Sequence, residues 1–427
     1  MRKIALPLTV IGAVLVLLFA TGGVGADSTT WTVGFQVQNL GTATANITIT
    51  YYNQDGSVAA TQVDTIAPGT SKTYYGATMN VPDGFNGSVV VTSDQPVVAI
   101  ANQLTADPTM AGSYIGVTAG ATKVNLPLVM RENNLWNTAI SVQNAGTADA
   151  NVTLNFYSGP TVVDTITDTI PPGASHRYDQ STQTSLGAPF VGSAVVTSDQ
   201  PVAAEVNETD GAILMSYTGF PAGATTIYAP LIMTDNNGWS TGLQVQNIGA
   251  STANVELKVD GTVVWTGTIA PDASETFYPV PGTSAGFVGS ATVECTNGQP
   301  LVGIVNELHS PSGQGMSYTC FVGGTDSVFA PLIMTDNSGW YTGLQVQNIG
   351  ASAANVELKV DGTLVWTGTI GSGLSETFYP VPGTSAGFVG SAAVECTNGQ
   401  PLVGIVNEIT LPPKAGENSM AYECFNQ

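Results

Sequence analysis

Two short segments of this 427-residue chain, Gly282–Gly286 and Gly383–Gly387, match the nucleophile-elbow pattern G-x-S-x-G. In that pattern a serine attacks a carbonyl carbon while a histidine takes its proton. An elbow also needs a strand before it and a helix after it, whereas here a proline precedes each motif and a strand-like run follows. The chain beyond residue 328 contains no histidine. We therefore interpret both segments as glycine-rich loops.

Paired carboxylates are a second chemistry to consider, because a glycosidase uses one as acid and one as base or nucleophile. The chain repeats one set of glutamates at a fixed interval: Glu256, Glu275, Glu294 and Glu307, then Glu357, Glu376, Glu395 and Glu408. Most lie at alternate positions of predicted strands, which favours a solvated sheet face. We predict no catalytic residue and no enzymatic activity, and we keep a glycosidase or esterase as the weakest of three alternatives.

Asp235 and Asp336 lie in oxygen-rich turns, Thr234–Gly238 and Thr335–Gly339. Calcium takes six to eight oxygen ligands, and each turn supplies only two or three. A plain turn is the favoured interpretation, with a surface calcium site as the alternative. No other cofactor is predicted.

Trp265 and Trp366 lie on a predicted hairpin strand. Exposed indole rings could stack on sugar rings, which would make them candidate ligand-stacking residues of a glycan-binding surface. Packing in the core or at a sheet edge is the favoured interpretation for a tryptophan that repeats in this way.

The four cysteines are Cys295, Cys320, Cys396 and Cys424. At the place of Cys295 the earlier part of the chain has Ser93 and Ser198, and at the place of Cys320 it has Gly116 and Gly219. Both cysteines are therefore present together or absent together. We predict the disulfides Cys295–Cys320 and Cys396–Cys424, with unpaired buried thiols as the alternative; an exported protein would permit such bridges.

Four Asn-x-Ser/Thr sequons occur, at Asn46, Asn86, Asn151 and Asn207. They allow glycosylation only in a host that has the machinery.

Charge excludes several partners. With 9 Lys+Arg against 31 Asp+Glu, the net charge is −22. Binding to nucleic acid needs clustered cations that neutralise phosphates, and anionic lipid attracts the same cations. We predict no nucleic-acid partner and no membrane partner for the mature chain.

The N-terminus is predicted to be a secretory signal peptide, residues 1–26. Arg2 and Lys3 precede an apolar run from Ile4 to Ala20, and Val24–Ala26 supplies small residues for cleavage after Ala26. An uncleaved membrane anchor is the alternative. The expected location is outside the cell or on its surface, in a bacterium.

The rest of the chain is a tandem repeat. The string Gln-Val-Gln-Asn ends at Asn39, Asn247 and Asn348, and Ser-Val-Gln-Asn ends at Asn144. These intervals predict four domains: repeat 1 (27–122), repeat 2 (123–226), repeat 3 (227–327) and repeat 4 (328–427). Segments 230–307 and 331–408 agree at 69 of 78 positions, which indicates a recent duplication.

Each repeat has the pattern of short antiparallel strands. In repeat 3, apolar Val255, Leu257 and Val259 alternate with polar residues, and Asp260–Gly261 predicts a tight hairpin turn. Further strands are expected at Glu275–Val280, Ser290–Cys295, Leu301–Asn306 and Met316–Phe321. Seven or eight such strands per repeat predict an all-β protein of four immunoglobulin-like sandwiches.

The segments 34–41, 45–49 and 66–71 together resemble the immunoglobulin-like, cell-adhesion-related (CARDB-like) domains of secreted bacterial surface proteins. That resemblance implies an extracellular sandwich with a role in adhesion. Repeat 4 departs from it, with Gly371–Gly373 in place of the Pro-Gly turn.

A similar strand precedes repeats 2, 3 and 4, at 126–130, 229–233 and 330–334. Counting back from the first leads to Thr21–Gly25, at the predicted cleavage site, where we expect no such strand. An incomplete terminal sandwich would expose a sheet edge and invite self-association. We therefore predict a secreted structural or cell-surface protein that assembles head to tail into a filament or surface layer, with an adhesin or glycan-binding protein as the alternative.

Overall fold

The computed structural model describes residues 12–16, 31–82, 84–105, 110–411 and 419–426. About two thirds of these residues lie in strands, and the strand pairs are antiparallel, which confirms the predicted all-β class. Short 3-10 turns occur at Gly76–Met79, Gln180–Thr182 and Thr184–Leu186. Within the described residues, no helix has the length and apolar character needed to span a membrane.

The strands follow the same order in every repeat. The strand β1 (Gly12–Val16) precedes the predicted bounds of repeat 1. Repeat 1 contains β2 (Trp31–Asn39), β3 (Ala45–Asn53), β4 (Val58–Ile66), β5 (Ser71–Tyr75), β6 (Gly87–Ser93), β7 (Val97–Thr105) and β8 (Ala111–Ile115). Repeat 2 contains β9 (Ala121–Arg131), β10 (Asn137–Asn144), β11 (Ala150–Ser158), β12 (Thr161–Ile170), β13 (Ser175–Asp179), β14 (Phe190–Thr209) and β15 (Leu214–Thr218).

The second half continues this order. Repeat 3 contains β16 (Thr226–Thr234), β17 (Trp239–Asn247), β18 (Ala253–Val259), β19 (Thr262–Ile269), β20 (Ser274–Phe277), β21 (Phe287–Cys295), β22 (Leu301–His309) and β23 (Gln314–Thr319). Repeat 4 contains β24 (Ser327–Thr335), β25 (Trp340–Asn348), β26 (Ala354–Val360), β27 (Thr363–Ile370), β28 (Ser375–Phe378), β29 (Phe388–Cys396), β30 (Leu402–Thr410), β31 (Ser419–Glu423) and β32 (Phe425–Asn426).

Two sheets enclose one core in each repeat. In repeat 3 the sheets have the orders β16-β21-β18-β19 and β20-β17-β22-β23. Their inner faces contribute alternate residues, such as Val255, Leu257, Val293 and Val305, to a single buried cluster. Repeat 2 has the same layout, but its 20-residue β14 runs through both layers and joins them into one hydrogen-bonded sheet.

The repeated asparagine explains why the Asn-x-Gly motif recurs. Asn247 is fully buried; its Nδ2 donates to the carbonyls of Ser251 (2.8 Å) and Ile269 (2.9 Å), and its Oδ1 accepts from Gly249 N (2.9 Å). The same three bonds form at Asn39, Asn144 and Asn348. One side chain thus closes the loop after β17 and ties the two sheets together.

The predicted hairpin turn is also present. Asp260 and Gly261 both have positive φ, 44° and 73°, as a two-residue type I′ turn requires. The Asp260 carboxylate accepts from Ser290 N at 2.9 Å, which stabilises the turn against the neighbouring strand.

The expectation that repeat 1 of the mature chain lacks its first strand stays a prediction. The segment Thr21–Gly25 lies outside the described residues. However, β1 pairs along β6, with Val16 opposite Val89 and Gly12 opposite Ser93, as β16 pairs along β21. The strand comes from the segment predicted as the signal peptide, so cleavage after Ala26 would uncover the β6 edge.

Candidate functional site: the junctions between repeats

One strand near the end of each repeat, β8, β15, β23 or β31, lies beside a common axis. A small pocket of about 10 Å³ between them is lined by residues 111–113 of β8, 214–216 of β15, 315–317 of β23 and 419–421 of β31. Hydrogen bonds link successive strands, from Ser317 Oγ to Ser216 O (2.8 Å) and from Ser419 Oγ to Gly315 O (3.1 Å). A β-carbon at Gly315 would lie 2.6 Å from Ile213 Cγ2, so glycine permits this close approach. The repeats are therefore arranged around an axis rather than as an extended string.

A serine and a glutamine form the same polar contact at each junction. Ser193 Oγ of repeat 2 donates to Asp272 O of repeat 3 (2.7 Å), and Gln246 Nε2 donates to the same carbonyl (2.9 Å). The equivalent serine–carbonyl bonds are Ser88 to Gly173 and Ser290 to Gly373. The serines and the glutamines that share these contacts are completely buried.

A second contact repeats between side chains of neighbouring domains. Asn306 Nδ2 of repeat 3 donates to Glu208 Oε2 of repeat 2 at 2.7 Å. The equivalent bonds join Asn407 to Glu307 (2.7 Å) and Asn207 to Gln103 (3.0 Å). We call this series of three amide-to-acceptor bonds the Asn–Glu ladder.

The ladder buries acidic side chains without a cation as direct partner. Burial raises the pKa of Glu208 and of Glu307 to about 8. Burial also raises the pKa of Glu205 to about 8, although the Arg177 charge and the hydrogen bond from Gln103 act in the opposite direction. Glu307 was grouped above with solvated glutamates, and that assignment is wrong because the neighbouring repeat covers it.

The predicted disulfides are absent from the structure, which contains all four cysteines as buried free thiols. Cys295 has the hydrogen-bonding role of a serine. Its Sγ accepts from Gln299 N at 3.1 Å, as Ser198 Oγ accepts from Gln200 N at 3.1 Å in repeat 2. Cys295 and Cys320 belong to the same core, so their pairing stays a prediction.

Core packing gives an independent reason why repeat 3 has Cys320 where repeat 2 has Gly219. A β-carbon added at Gly303 would lie 3.1 Å from the Cys320 Sγ. The equivalent residue in repeat 2 is Ala204, which has that β-carbon and faces a glycine instead of a cysteine. A β-carbon at Gly219 of repeat 2 would lie 2.7 Å from Leu126 Cδ2, whereas repeat 3 has Ala229 in place of that leucine. Repeat 3 thus gains volume at Cys320 and loses it at two neighbouring positions, and Cys424 faces Gly404 in the same way.

Trp265 and Trp366 pack against their own repeats. The Trp265 ring meets Phe277 edge-on with centroids 4.9 Å apart, and Trp366 meets Phe378 in the same way at 4.9 Å. Each indole also lies over a glycine, Gly267 or Gly368. Both rings are half-buried, which supports edge packing over ligand stacking.

Asp235 and Asp336 lie in ordinary turns with positive φ, 46° and 47°. The turn at Asp235 is closed by backbone hydrogen bonds between Asn236 and Trp239. Within the described ranges, no group of three or more His, Cys, Asp and Glu side chains is arranged to hold a metal ion. The calcium alternative stays a prediction.

Two of the four sequon asparagines hold hydrogen bonds at the surface and one is buried. Asn46 and Asn151 donate to Asp94 and Asp199, at 2.6 and 2.7 Å. Asn207 is only 2% exposed and belongs to the ladder, which leaves no room for a glycan.

A cleft of about 610 Å³ opens between repeats 3 and 4. Its walls include Trp239, His309, Met316, Tyr379 and Asn407. The Trp239 and His309 rings lie 5.1 Å apart, and the Tyr379 side chain is exposed. Apolar and aromatic side chains predominate in this lining, with amide groups at Asn236, Asn237, Gln345 and Asn407.

Comparisons with known proteins leave the family open. No protein-family model matches the chain, and no curated protein is significantly similar to it. The crystal structure of Thermotoga maritima 1070 is 20% identical over 25% of this chain and 92% of its own, with a TM-score of 0.21. The Anabaena sensory rhodopsin transducer is 15% identical over 20% of this chain and 92% of its own, with a TM-score of 0.17.

A third similar structure is an anti-sigma factor domain-containing protein, 12% identical over 50% of this chain and 81% of its own, with a TM-score of 0.13. Scores this low carry no argument about this chain. The resemblance to CARDB-like repeats therefore stays a prediction.

Sequence reasoning missed the junctions. Their signal was the dipeptide Asn-Glu, which recurs at 207–208, 306–307 and 407–408, with Asn102–Gln103 at the first position. A pattern inside one strand cannot say that the asparagine of one repeat meets the glutamate of another.

Proposed function

We propose that this chain is a secreted structural protein of the cell surface whose four sandwiches act as one rigid body. The observation that carries the proposal is the recurrence of the same buried polar contacts at all three junctions. A buried amide or carboxyl group without a partner costs free energy, so each junction favours one geometry over a hinge. Assembly into an extracellular filament or surface layer is the finer form of this proposal.

Solution scattering and negative-stain microscopy of the full chain test the rigid body. We expect one compact four-lobed particle with a single set of inter-lobe distances. Limited proteolysis should spare the junctions near residues 121, 226 and 327. A broad distribution of inter-lobe distances would contradict the proposal, as would rapid cleavage into single repeats.

A second candidate function, binding of surface glycans, is favoured by the cleft between repeats 3 and 4. Trp239 and Tyr379 offer ring faces for a sugar, and the exposed amide of Asn237 offers hydrogen bonds to its hydroxyl groups. Glycan-array binding that is lost in Trp239→Ala and Tyr379→Ala, and kept in Trp265→Ala, is the expected result. Binding that is lost only in Trp265→Ala would place the site elsewhere.

A further inference from the structure

Within the described part of the chain, one face of repeat 1 is uncovered although its counterparts are buried. In repeats 2 to 4 the outer faces of the second and seventh strands lie against the preceding repeat. Repeat 2, for example, buries Ser141, Gln143, Ala203, Glu205 and Asn207 there.

The equivalent positions on β2 and β7 of repeat 1 form what we call the head face: Gln36, Gln38, Val98, Ile100 and Asn102. Gln36 and Asn102 are exposed, and the other three side chains are half-buried. The same surface that joins three pairs of repeats is therefore open at the start of the array.

Repeat 4 carries the opposite surface, also uncovered. Ser88, Ser193 and Ser290 are completely buried at the junctions, whereas the equivalent Ser391 is exposed. Likewise Pro127 and Pro230 are buried, but Pro331 is exposed.

The last glutamate of the series is also only partly covered. Glu208 and Glu307 are fully buried beneath an asparagine of the next repeat, while Glu408 is half-buried. We call Pro331, Leu332, Ser391 and Glu408 the tail face.

We propose that the tail face of one chain binds the head face of a second copy and continues the junction series from chain to chain. This inference rests on the proposed structural function and identifies the binding partner as a second copy of the same chain. By continuity with the three internal junctions, Asn102 would donate to Glu408, Ser391 Oγ would donate to the carbonyl of Gly69, and Gln38 would donate to the carbonyl of Ala392.

The arrangement within one chain favours a second copy over closure of the chain on itself. β8 and β31 contact each other at the axis. Even so, among the described residues the hydrogen bonds of Gln38, Gly69 and Ser391 stay within their own repeats. A contact between two different faces forms a ring if its rotation closes and an open filament if it does not. The two faces of one chain do not meet after four repeats, which favours the open filament.

Charge does not oppose this contact locally. Beside the tail face lies the Asp361 carboxylate, which accepts from Ser391 Oγ at 3.2 Å. Within the two faces the one ionisable side chain is that of Glu408, and burial raises its pKa to about 7. The amide of Asn102 is its expected partner. Because the head face contains no ionisable side chain, these carboxyl groups would meet no like charge across the junction, despite the net charge of −22.

Blocked variants test the proposal in the full chain. Ile100→Arg places a cation on the head face and Ser391→Arg places one on the tail face. Val63→Arg is the matched control, because Val63 is 77% exposed on β4 and belongs to neither face. We expect the wild-type chain and the control to gain mass with concentration in sedimentation velocity, and each blocked variant to stay monomeric.

Mixing the two blocked variants gives the sharpest outcome. Each retains one functional face, so a 1:1 mixture should form dimers and no larger species. A milder change, Asn102→Ala, should weaken association roughly tenfold through loss of one hydrogen bond to a carboxyl group while leaving the melting temperature of the monomer unchanged.

Other results overturn the proposal. They are a wild-type chain that stays monomeric at all concentrations, and a mixture of blocked variants that stays monomeric. If the chain stays monomeric but still scatters as one rigid four-lobed particle, the assembly proposal is wrong and the proposed structural function stands.

Discussion

The cores of the sandwiches and the junctions between them are stabilised by different groups. The cores are aliphatic and aromatic, as in the cluster around Leu257 and Phe277. The junctions bury serine, glutamine, asparagine and glutamate side chains. The cores of repeats 2 and 3 differ through compensating changes of volume, whereas the junctions repeat the same donor–acceptor pairs. A core tolerates substitutions that keep its total volume, whereas a buried polar side chain needs at least one hydrogen-bond partner.

The largest expected effect concerns pH and the junctions. Glu205, Glu208 and Glu307 have folded-state pKa values of about 8, above the ordinary value of 4.5. Between these values the folded chain binds more protons than the unfolded chain, so the free energy of unfolding falls as pH rises from about 4.5 to about 8. Each carboxyl contributes a slope of up to about 1.4 kcal/mol per pH unit. Calorimetry at pH 5, 7 and 9 should show stability highest at pH 5.

The matched variants for that experiment copy the first junction, where Gln103 occupies the ladder position. Glu208→Gln and Glu307→Gln imitate the protonated carboxyl group and should flatten the pH profile. An unchanged profile in the double variant would mean that the junction glutamates do not control stability.

The second effect concerns the thiols that distinguish the cores of repeats 3 and 4. Non-reducing peptide mapping of exported protein checks the predicted links Cys295–Cys320 and Cys396–Cys424. Each would close a loop of roughly 25 residues and add about 3–4 kcal/mol, so reduction should lower the melting of repeats 3 and 4 only. If all four thiols are free, core packing is the sole reason why the two cysteines of a repeat are present or absent together. A Cys295–Cys396 link would contradict both the disulfide and the packing explanation.

A smaller effect is expected when the core of repeat 3 is transferred into repeat 2. Gly219→Cys should cost about 1–3 kcal/mol because its β-carbon would approach Val124 and Leu126 too closely. Adding Leu126→Ala and Ala204→Gly makes room, so the triple variant should be more stable than the sum of the single changes predicts. Chemical denaturation measures the difference. If the three changes in the free energy of unfolding simply add, the side chains at these positions do not compensate for one another in volume.

The smallest effect is expected at the rim of the second junction. Lys123 Nζ lies 2.7 Å from Asp272 Oδ1 with both side chains partly exposed. Lys123→Ala should therefore cost only about 0.5 kcal/mol, and less at high salt. Lys72→Ala removes a similar pair with Asp64 inside repeat 1 and is the control. A loss above about 2 kcal/mol for Lys123→Ala alone would mean that this ion pair, and not only the buried amides, stabilises the junction.

The sequence by itself determined what depends on neighbouring residues. The alternation of Val255, Leu257 and Val259 fixed which strand face is buried, and Asp260–Gly261 fixed the hairpin turn, because positive φ at two successive residues strongly favours that pair. The recurring Asn247 series predicted the four repeats. These patterns need only local geometry, so they can be interpreted without coordinates.

Only the tertiary structure decided which surfaces meet. Glu307 and Glu294 are alike in sequence, yet the neighbouring repeat buries Glu307 and leaves Glu294 beside Lys258 at the surface. The pairing of β1 with β6 and the fit of Cys320 against Gly303 likewise join residues distant in the chain. Burial and the partner of a polar atom are properties of the assembled repeats, because they depend on which groups exclude water from it.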